Sequence, residues 1–287
     1  MAATNKIEVL GYKRTLIGDY IQSINWSQLP YVMDEFTTLN EVFNVQSGVA
    51  PDANLRPVMK YLVIGNKGNT YVIGPDNAYF PRDKEYGATQ IQCYGHIPFI
   101  AREVKNDLAQ ADRKRYGLRT EKTINGVKYV FYWARRIDMS SVTTSKRIST
   151  VNGTRPGGDE YKYTARNMEP KEISYNTDGT AIASKSTVFT STPVTIELTA
   201  EDIAEIVSAY RLYNNSELTP TLSELGFCTG VDKEVAIPGT DQYYTEVLAC
   251  QVNVFINTEN SLRSANGGLT FDINLGSAEP LVTNEEQ

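Results

Sequence analysis

The residues able to perform acid–base or nucleophilic chemistry are few in this chain. His96 is the single histidine among 287 residues, so it is the one imidazole available to a Ser–His or Cys–His arrangement or to a metal site. It follows Cys93 in the segment Cys93-Tyr-Gly-His96-Ile-Pro98, which contains no nucleophile-elbow motif. Because Gly95 and Pro98 mark a bend, we interpret His96 as a hydrogen-bonded turn residue rather than as a catalytic base.

Carboxylates and thiols give no specific signal of an active site either. The paired carboxylates lack an aromatic substrate groove around them, and the three cysteines are far apart and form no CxxC pair. No EF-hand, P-loop, HExxH or GxSxG spacing occurs. The sequence therefore predicts no catalytic, cofactor-binding or metal-binding residue, no cofactor and no enzymatic activity, and it predicts buried cysteines. The carboxylate pairs are Asp34-Glu35, Asp159-Glu160 and Glu201-Asp202, and the cysteines are Cys93, Cys228 and Cys250.

Two basic clusters raise the question of nucleic-acid contact. Arg113-Lys114-Arg115 and Arg135-Arg136 have Tyr116 and Trp133 near them, and basic residues with aromatic neighbours can bind single strands. The isoelectric point near 5.1 argues against a dedicated nucleic-acid binder. We interpret these clusters as a solvated face or as sites of salt bridges between subunits, and direct nucleic-acid contact is not expected.

The charge is divided unevenly along the chain. Residues 197–287 contain 15 acidic and three basic residues, a net charge of −12, so residues 1–196 carry +6 of the total of −6. Such a division favours head-to-tail association of copies, or a position between unlike partners. Ordinary solvated surfaces remain the alternative. The 18 tyrosines, against 9 phenylalanines and 2 tryptophans, fit strands and protein–protein contacts.

Helical periodicity is limited to a few segments. The apolar spacing predicts helices over Ile7–Ile24 and Met33–Val45, which we interpret as core helices, and a polar helix over Asn106–Tyr116. Thr199-Ala-Glu-Asp202 resembles a capping box and predicts the start of a helix that ends near Asn214-Asn215.

Strand patterns dominate the rest of the sequence. Asn125-Gly126 predicts a type I′ hairpin turn, and its second strand is apolar on both faces, so another sheet or another subunit must cover it. Gly65-Asn-Lys-Gly68 predicts a turn between two strands and is too short for a phosphate-binding loop. Further strands are predicted within 181–198, 222–228, 244–256 and 269–275.

These elements predict a mainly β protein, sandwich- or barrel-like, with a few helices, of the α+β class. We expect an N-terminal α+β domain over residues 1–138 that includes the Asn125-Gly126 hairpin. Residues 139–180 are polar and without periodicity, which predicts a long loop or an extended arm. An acidic, β-rich domain with one helix is expected over 181–287. With no run of about 18 apolar residues, no transmembrane helix is expected.

Two stretches resemble virion proteins of tailed bacteriophages, especially long-tailed contractile ones. The first is Arg56-Pro-Val-Met-Lys-Tyr-Leu-Val-Ile-Gly-Asn-Lys-Gly68 with Pro98-Phe-Ile-Ala-Arg-Glu-Val-Lys-Asn-Asp-Leu108; the second is Leu222-Ser-Glu-Leu-Gly-Phe-Cys-Thr-Gly230 with Tyr244-Thr-Glu-Val. The resemblance covers about a third of the chain and implies no site residue. It implies a structural part of the neck, collar, tail or baseplate.

The expectation from sequence is therefore a non-enzymatic structural subunit of a tailed-phage virion. It would form a ring or collar layer in the neck or tail region, with copies of itself and other virion proteins as partners and no membrane. Its expected location is the virion, assembled in the host cytoplasm. The alternatives are a baseplate component, a glycan- or receptor-binding module, and a carboxylate-dependent enzyme that degrades a polysaccharide.

Overall fold

Antiparallel strands make up most of the secondary structure. The structure, a computed structural model, describes residues 5–7, 12–150, 159–165, 169, 175–179, 186–237, 239–262 and 267–280. The strands within these ranges are β1 (Asn5–Ile7), β2 (Tyr12–Arg14), β3 (Val58–Gly65), β4 (Asn69–Ile73), β5 (Tyr79–Asp83), β6 (His96–Ile97), β7 (Ile100–Glu103), β8 (Tyr116–Ile124), β9 (Val127–Arg136), β10 (Ser145–Thr150), β11 (Asp159–Glu160), β12 (Ser186–Leu198), β13 (Thr221–Ala236), β14 (Tyr243–Ser261), β15 (Leu269–Leu275) and β16 (Ala278–Pro280). The helices are α1 (Leu16–Ser27), α2 (Leu39–Phe43), α3 (Gln110–Arg113), α4 (Ala200–Asn214) and a short 3-10 helix (Val104–Asn106). The predicted mainly β, α+β class is confirmed.

The chain divides into two compact units. Unit 1 comprises Met1–Asp138 and Glu197–Phe271, and unit 2 comprises Met139–Ile196 and Asp272–Gln287. The C-terminal region that the sequence groups as 181–287 is thus shared between the units. The reason is that β13 pairs with β3, and α4 packs near β7, within unit 1.

An eight-stranded sheet forms the framework of unit 1. Its strand order is β2-β14-β13-β3-β9-β7, with β6 beside β3 and β8 beside β9. β13 and β14 form a long antiparallel hairpin with several register shifts. Large side chains from its strands, among them Tyr61, Phe131, Phe227 and Phe255, are fully buried and form the core. In unit 2, β10 pairs antiparallel with both β11 and β12, and β16 pairs with β12.

The Asn125-Gly126 hairpin is confirmed. Ile124 pairs with Val127, and Asn125 and Gly126 have φ of 49° and 80°, as a type I′ turn requires. The capping box is also confirmed, since the Thr199 side chain accepts from the backbone N–H of Asp202 while the Asp202 carboxylate accepts from that of Thr199. Both signals act over a few neighbouring residues, so the local sequence is enough to predict the turn and the helix start.

Two apolar helix predictions are wrong in extent. The helix predicted over Ile7–Ile24 begins at Leu16, because Thr15 caps it by accepting from the backbone N–H of Gly18, while β2 pairs with β14. The helix predicted over Met33–Val45 is reduced to α2, since Phe36 has φ of 58° and Asn44 ends the helix in the left-handed region. Ile7 belongs to β1, which pairs in parallel with β15.

Two polar segments also differ from their predictions. The helix predicted over Asn106–Tyr116 contains only α3 between the 3-10 helix and the start of β8. The loop predicted over 139–180 is wrong for β10 and β11, because the partner of β10 is β12, which lies later in the sequence. Residues 151–158, 166–168, 170–174 and 180–185 lie outside the described residues. The short strands predicted within 181–198 are one strand, β12.

Candidate assembly surface

The histidine is placed as a partly buried ring rather than beside a reactive thiol. Its Nε2 accepts a 3.2 Å hydrogen bond from the backbone N–H of Cys93, and its ring packs edge-on against Phe43 with centroids 5.1 Å apart. Burial lowers the pKa of His96 to about 4. The Nε2 lone pair is thus engaged by a backbone N–H and not by the Cys93 thiol.

The cysteines behave as core side chains. Cys93, Cys228 and Cys250 are buried free thiols within one apolar cluster of unit 1. Burial raises the pKa of Cys93 and of Cys228, and the neighbouring Cys250 thiol raises that of Cys228 further. Thiols held in the protonated form are poor nucleophiles and poor metal ligands. The predicted burial of the cysteines is confirmed.

The carboxylate pairs are not brought together. Asp34 and Glu35 are exposed, and Asp159 and Glu160 form β11. Asp202 is engaged in capping α4, and Glu201 is exposed beside it. Among the residues that the structure describes, no group of three His, Cys, Asp or Glu side chains could hold a metal ion. In the same residues, no helix is long and apolar enough to cross a membrane.

The basic clusters are engaged in ion pairs within unit 1. Arg113 and Arg119 both contact Asp107, and Arg135 and Arg115 contact Asp202 at 2.9 and 3.7 Å. These contacts pair the arginines with carboxylates of the chain itself, whereas Lys114 is exposed.

Ion pairs also join the basic and the acidic parts of the sequence. Arg102, from the basic N-terminal part, forms two hydrogen bonds of 2.8 and 2.6 Å with Glu205 of α4. Asp232, from the acidic part, pairs with Lys60 and Arg136 at 2.7 Å each. Opposite charges thus meet within one chain, so the charge division gives no support of its own to head-to-tail association.

The strand that is apolar on both faces is likewise covered from within. Phe131 and Trp133 of β9 pack edge-on against Tyr213 of α4, with centroids 5.0 and 4.8 Å apart, and Phe43 stacks on Trp133. On the opposite face, Val130, Tyr132 and Ala134 are buried as well. The strand is covered, as predicted, but on the Phe131–Trp133 face the cover is formed by helices of the chain itself and not by another sheet or another subunit.

One surface of unit 1 is not covered in this way. We call it the hairpin arm: β4, its turn and β5, residues 69–83. These two strands form a sheet of their own and pair with no other described strand. An isolated two-stranded hairpin is marginally stable in water. The arm therefore needs support at its base, and that base is well anchored.

Glu224 of β13 anchors the base of the hairpin arm. Its side chain is fully buried, and its carboxylate accepts hydrogen bonds from the backbone N–H groups of Lys67, Tyr94 and Gly95 and from the hydroxyl of Tyr86. Four donors satisfy a buried charge that would otherwise be costly. The chain entering the arm is thereby fixed to the main sheet.

The two ends of the hairpin arm are also joined to each other. The carbonyl of Gly68 accepts a 2.7 Å hydrogen bond from the backbone N–H of Lys84. The amide of Asn257 donates to the carbonyls of both residues, at 3.3 and 3.0 Å. A Cβ atom at Gly68 would lie 2.5 Å from the Ser223 carbonyl oxygen, so only glycine fits this position. The arm is held rigidly at its root.

Beyond its root, the hairpin arm presents apolar and aromatic side chains to solvent. Tyr71, Ile73 and Tyr79 lie on one face with 59%, 63% and 70% of their surface exposed. Val72 and Phe80 lie on the other face and are 39% and 47% exposed. Side chains of this size clustered on both faces of an exposed hairpin make the arm a candidate interaction surface.

The turn of the hairpin arm has the hydrogen bonds and residue types of a common β-hairpin turn. Asn77 has φ of 58°, and its backbone N–H donates to the carbonyl of Gly74, while Asp76 accepts from the N–H of Ala78. Pro75 at the second turn position and an asparagine in the left-handed region suit a type I turn with a bulge. The sequence predicts β4 as the second strand after the Gly65-Asn-Lys-Gly68 turn but does not predict β5, although the segment Gly74-Pro-Asp-Asn77 between two apolar runs is a signal for a second turn.

A second exposed apolar region lies in α1 and the segment after it. Trp26 is 87% exposed, and Leu29, Val32 and Phe36 are also largely exposed. Ile21 and Ile24, on the opposite side of α1, are buried against Tyr31 and Ala249. α1 therefore has one face packed into unit 1 and a tryptophan directed to solvent.

The described residues form a mainly β protein in which His96 and the three cysteines are engaged in packing, and in which the hairpin arm and the region around α1 expose apolar side chains. The whole chain, residues 1–287, matches the family DUF7208, described as a family of unknown function, and the chain belongs to that family. No curated protein and no solved structure is significantly similar to it.

Proposed function

We propose that this chain is a non-enzymatic structural subunit of a tailed-phage virion, forming a ring or collar layer in the neck or tail region. The hairpin arm is the observation that carries the proposal. Monomeric soluble proteins rarely expose apolar clusters of this kind, and an arm fixed at its root and apolar at its tip is suited to binding a neighbouring subunit. Copies of the chain and other virion proteins are the proposed partners.

Two further observations support a structural rather than a catalytic role. The groups that could perform chemistry, His96 and the three cysteines, are used in packing, and the arginines of the basic clusters form ion pairs. The phage assignment rests on the resemblance of the segments 56–68, 98–108, 222–230 and 244–247 to phage virion proteins. A baseplate position is compatible with the same surface.

Analytical ultracentrifugation and electron microscopy of the purified chain test the proposal. We expect concentration-dependent association into defined oligomers, and we expect the chain to be incorporated into particles when co-expressed with the neighbouring structural genes. A chain that remains monomeric at every concentration and is missing from purified particles, as judged by mass spectrometry, would contradict the proposal.

The exposed tyrosines favour one second candidate, a glycan- or receptor-binding module. Tyr71 and Tyr79 share a face of the hairpin arm, and aromatic faces stack on sugar rings in many binding sites. Glycan-array binding by the isolated chain separates this candidate from the first. Saturable glycan binding that is lost in Tyr71→Ala and Tyr79→Ala, without self-association, would favour the binding module.

A further inference from the structure

We propose that two copies of this chain pair through the outer edges of β4, antiparallel and centred on Tyr71, so that their hairpin arms form one four-stranded sheet. This inference rests on the proposed function as a self-associating subunit and deepens it by naming the contact. It follows from the register of the hairpin arm, from the position of its proline and from the composition of β4.

The register determines which backbone groups are free. The backbone N–H of Gly74 donates to the carbonyl of Ala78, so this pair is hydrogen-bonded, and the alternation of an antiparallel ladder makes Val72–Phe80 a hydrogen-bonded pair as well. Tyr71–Pro81 and Ile73–Tyr79 are then the non-hydrogen-bonded pairs. The N–H and C=O groups of these four residues point away from the partner strand, toward the two outer edges of the hairpin arm.

Pro81 makes the two outer edges unequal. It lies at an outward-facing position of β5 and has no N–H, so the outer edge of β5 lacks a donor at its centre. β5 also contains Arg82 and Asp83, and charges and prolines are the usual protection of edge strands. An added strand therefore has one suitable edge to pair with, that of β4.

The edge of β4 has no such protection. Its sequence, Asn69-Thr-Tyr-Val-Ile73, contains no charged residue and no proline, and Tyr71 and Ile73 present free backbone groups along it. A strand edge of this kind is a template for β-addition. The hairpin arm thus combines a free backbone edge with apolar side chains on both faces.

A second copy is the occupant that this edge fits. In an antiparallel pairing centred on Tyr71, each outward-facing residue meets an outward-facing residue of the partner: Tyr71 meets Tyr71, and Asn69 meets Ile73. About six backbone hydrogen bonds result, because each hydrogen-bonded pair exchanges two. The two tyrosine rings lie side by side on the same face, which is a favourable cross-strand pair. The charged Arg82 and Asp83 stay on the outer strands.

The symmetry of this contact defines its place in an assembly. It is isologous, so it joins subunits in pairs and cannot by itself form a ring. In a ring-forming virion protein it would connect two layers, and other surfaces would form the ring. A five-residue edge also buries less than the roughly 800 Å² per partner of a standard interface. We therefore expect reversible pairing at high concentration.

A charge-swap experiment at the symmetry axis tests the inference. Tyr71→Lys and Tyr71→Glu each place two like charges side by side in the pair, so each variant alone should dimerise at least about tenfold more weakly than the wild type. An equal mixture of the two variants places Lys beside Glu, and sedimentation should recover the paired species. Tyr243→Lys is the matched control, since Tyr243 is 50% exposed and begins β14 at the end opposite to Asn257.

The outcomes separate the inference from the proposed function. If the wild type associates and the single variants associate equally well, the contact lies elsewhere; the inference fails and the structural role stands. If both single variants dissociate and their mixture stays monomeric, the Tyr71-centred pairing of two copies is wrong. A wild type that is monomeric at all concentrations contradicts the inference, and the proposed function fails as well only if the chain is also missing from purified particles. Weakening by Tyr243→Lys to the same degree would show a nonspecific charge effect and would also overturn the inference.

Discussion

The hydroxyl of Tyr86 donates a 3.0 Å hydrogen bond to Oε1 of Glu224, although the two residues are 138 positions apart in sequence. The ring of Tyr86 stacks on Phe255 with centroids 4.4 Å apart, so one side chain joins the segment after the hairpin arm to both β13 and β14. Glu224 is thus the point at which three chain segments meet.

Replacing Glu224 tests this role. In Glu224→Gln the amide offers one acceptor oxygen, and its NH₂ group faces N–H donors that lose their partner. We expect the free energy of unfolding to fall by about 2–4 kcal/mol, as for other buried polar networks with unsatisfied donors. Urea unfolding measures the loss. Glu217→Gln, at an exposed position, is the control and should change stability by less than about 0.5 kcal/mol. Equal stability of the two variants would refute the anchoring role.

The Asp232 cluster predicts a loss of stability in acid. Burial alone would raise the pKa of Asp232, but hydrogen bonds from Lys60, Tyr61 and Arg136 outweigh it and lower the pKa overall. A carboxyl with a lowered folded-state pKa stabilises the fold above its unfolded pKa of about 3.9, and this contribution is lost as the pH falls through the folded value.

Asp232→Asn measures that contribution. The carboxylate is 36% exposed, so solvent screens it, and we expect a loss of at most about 1 kcal/mol at pH 7. The difference from the wild type should shrink as the pH is lowered below about 4. Thermal unfolding at a series of pH values checks both statements; a difference that does not depend on pH would show that the ion pairs are not its cause.

Glu246 predicts the opposite pH dependence. It is 4% exposed, and within the described part of the chain its Oε2 has no hydrogen-bond partner. Burial raises its pKa, against the lowering effect of Gln46 and Tyr244. A carboxyl whose folded-state pKa is raised contributes its full stability below the unfolded pKa of about 4.3 and loses it as the pH rises through the folded value.

Glu246→Gln should therefore stabilise the protein at pH 7. The amide removes a desolvated charge, and we expect a gain of about 1 kcal/mol that disappears near pH 4, where the wild-type carboxyl is protonated. Glu234→Gln, at an exposed position on the paired strand, is the control and should be neutral. A destabilised Glu246→Gln would mean that the carboxylate is charged and satisfied in the folded chain.

His96 offers a direct spectroscopic prediction, because it is the single imidazole in the chain. Nitrogen-15 NMR of the folded protein should show it titrating at about pH 4, with Nδ1 carrying the proton in the neutral ring. In urea it should titrate near the ordinary value of about 6.5. The contribution of the neutral ring to stability is present above about pH 6.5 and is lost as the pH falls toward 4. A native titration near 6.5 would contradict its burial.

Local signals were readable from the sequence. Asn125-Gly126 and the Thr199 capping box each act over a few residues, and both predict the observed turn and helix start. The helix predicted over Ile7–Ile24 is wrong before Leu16, because Ile7 lies in β1, Tyr12–Arg14 form β2, and Thr15 caps the helix that follows. The partner of β2 lies more than 200 positions further on.

The hairpin arm and its anchor were harder to predict, because the anchor also depends on pairing between strands that are far apart in the sequence. β5 contains Pro81, which makes the segment a poor strand by composition, and the anchor of the hairpin arm is a single glutamate in the apolar run Leu222–Cys228. The burial of Glu224 depends on donors from Lys67, Tyr94 and Gly95, which pairing with distant strands brings into place. Charge counting along the sequence does not reveal which opposite charges meet inside one unit, so the association predicted from it stays a prediction.

The discontinuity of unit 1 has a consequence for the synthesis of the protein. Lys67 binds the carboxylate of Glu224, which lies 157 residues later. On a ribosome that adds about 5–20 residues per second, Glu224 is synthesised roughly 10–30 seconds after Lys67. During that time β3 lacks its partner β13 and β2 lacks its partner β14, although β7, β8 and β9 can already pair with one another. Newly made chains are therefore most accessible to chaperones and to premature association before β13 and β14 emerge. A chain whose synthesis stops within residues 139–196 cannot complete its central sheet.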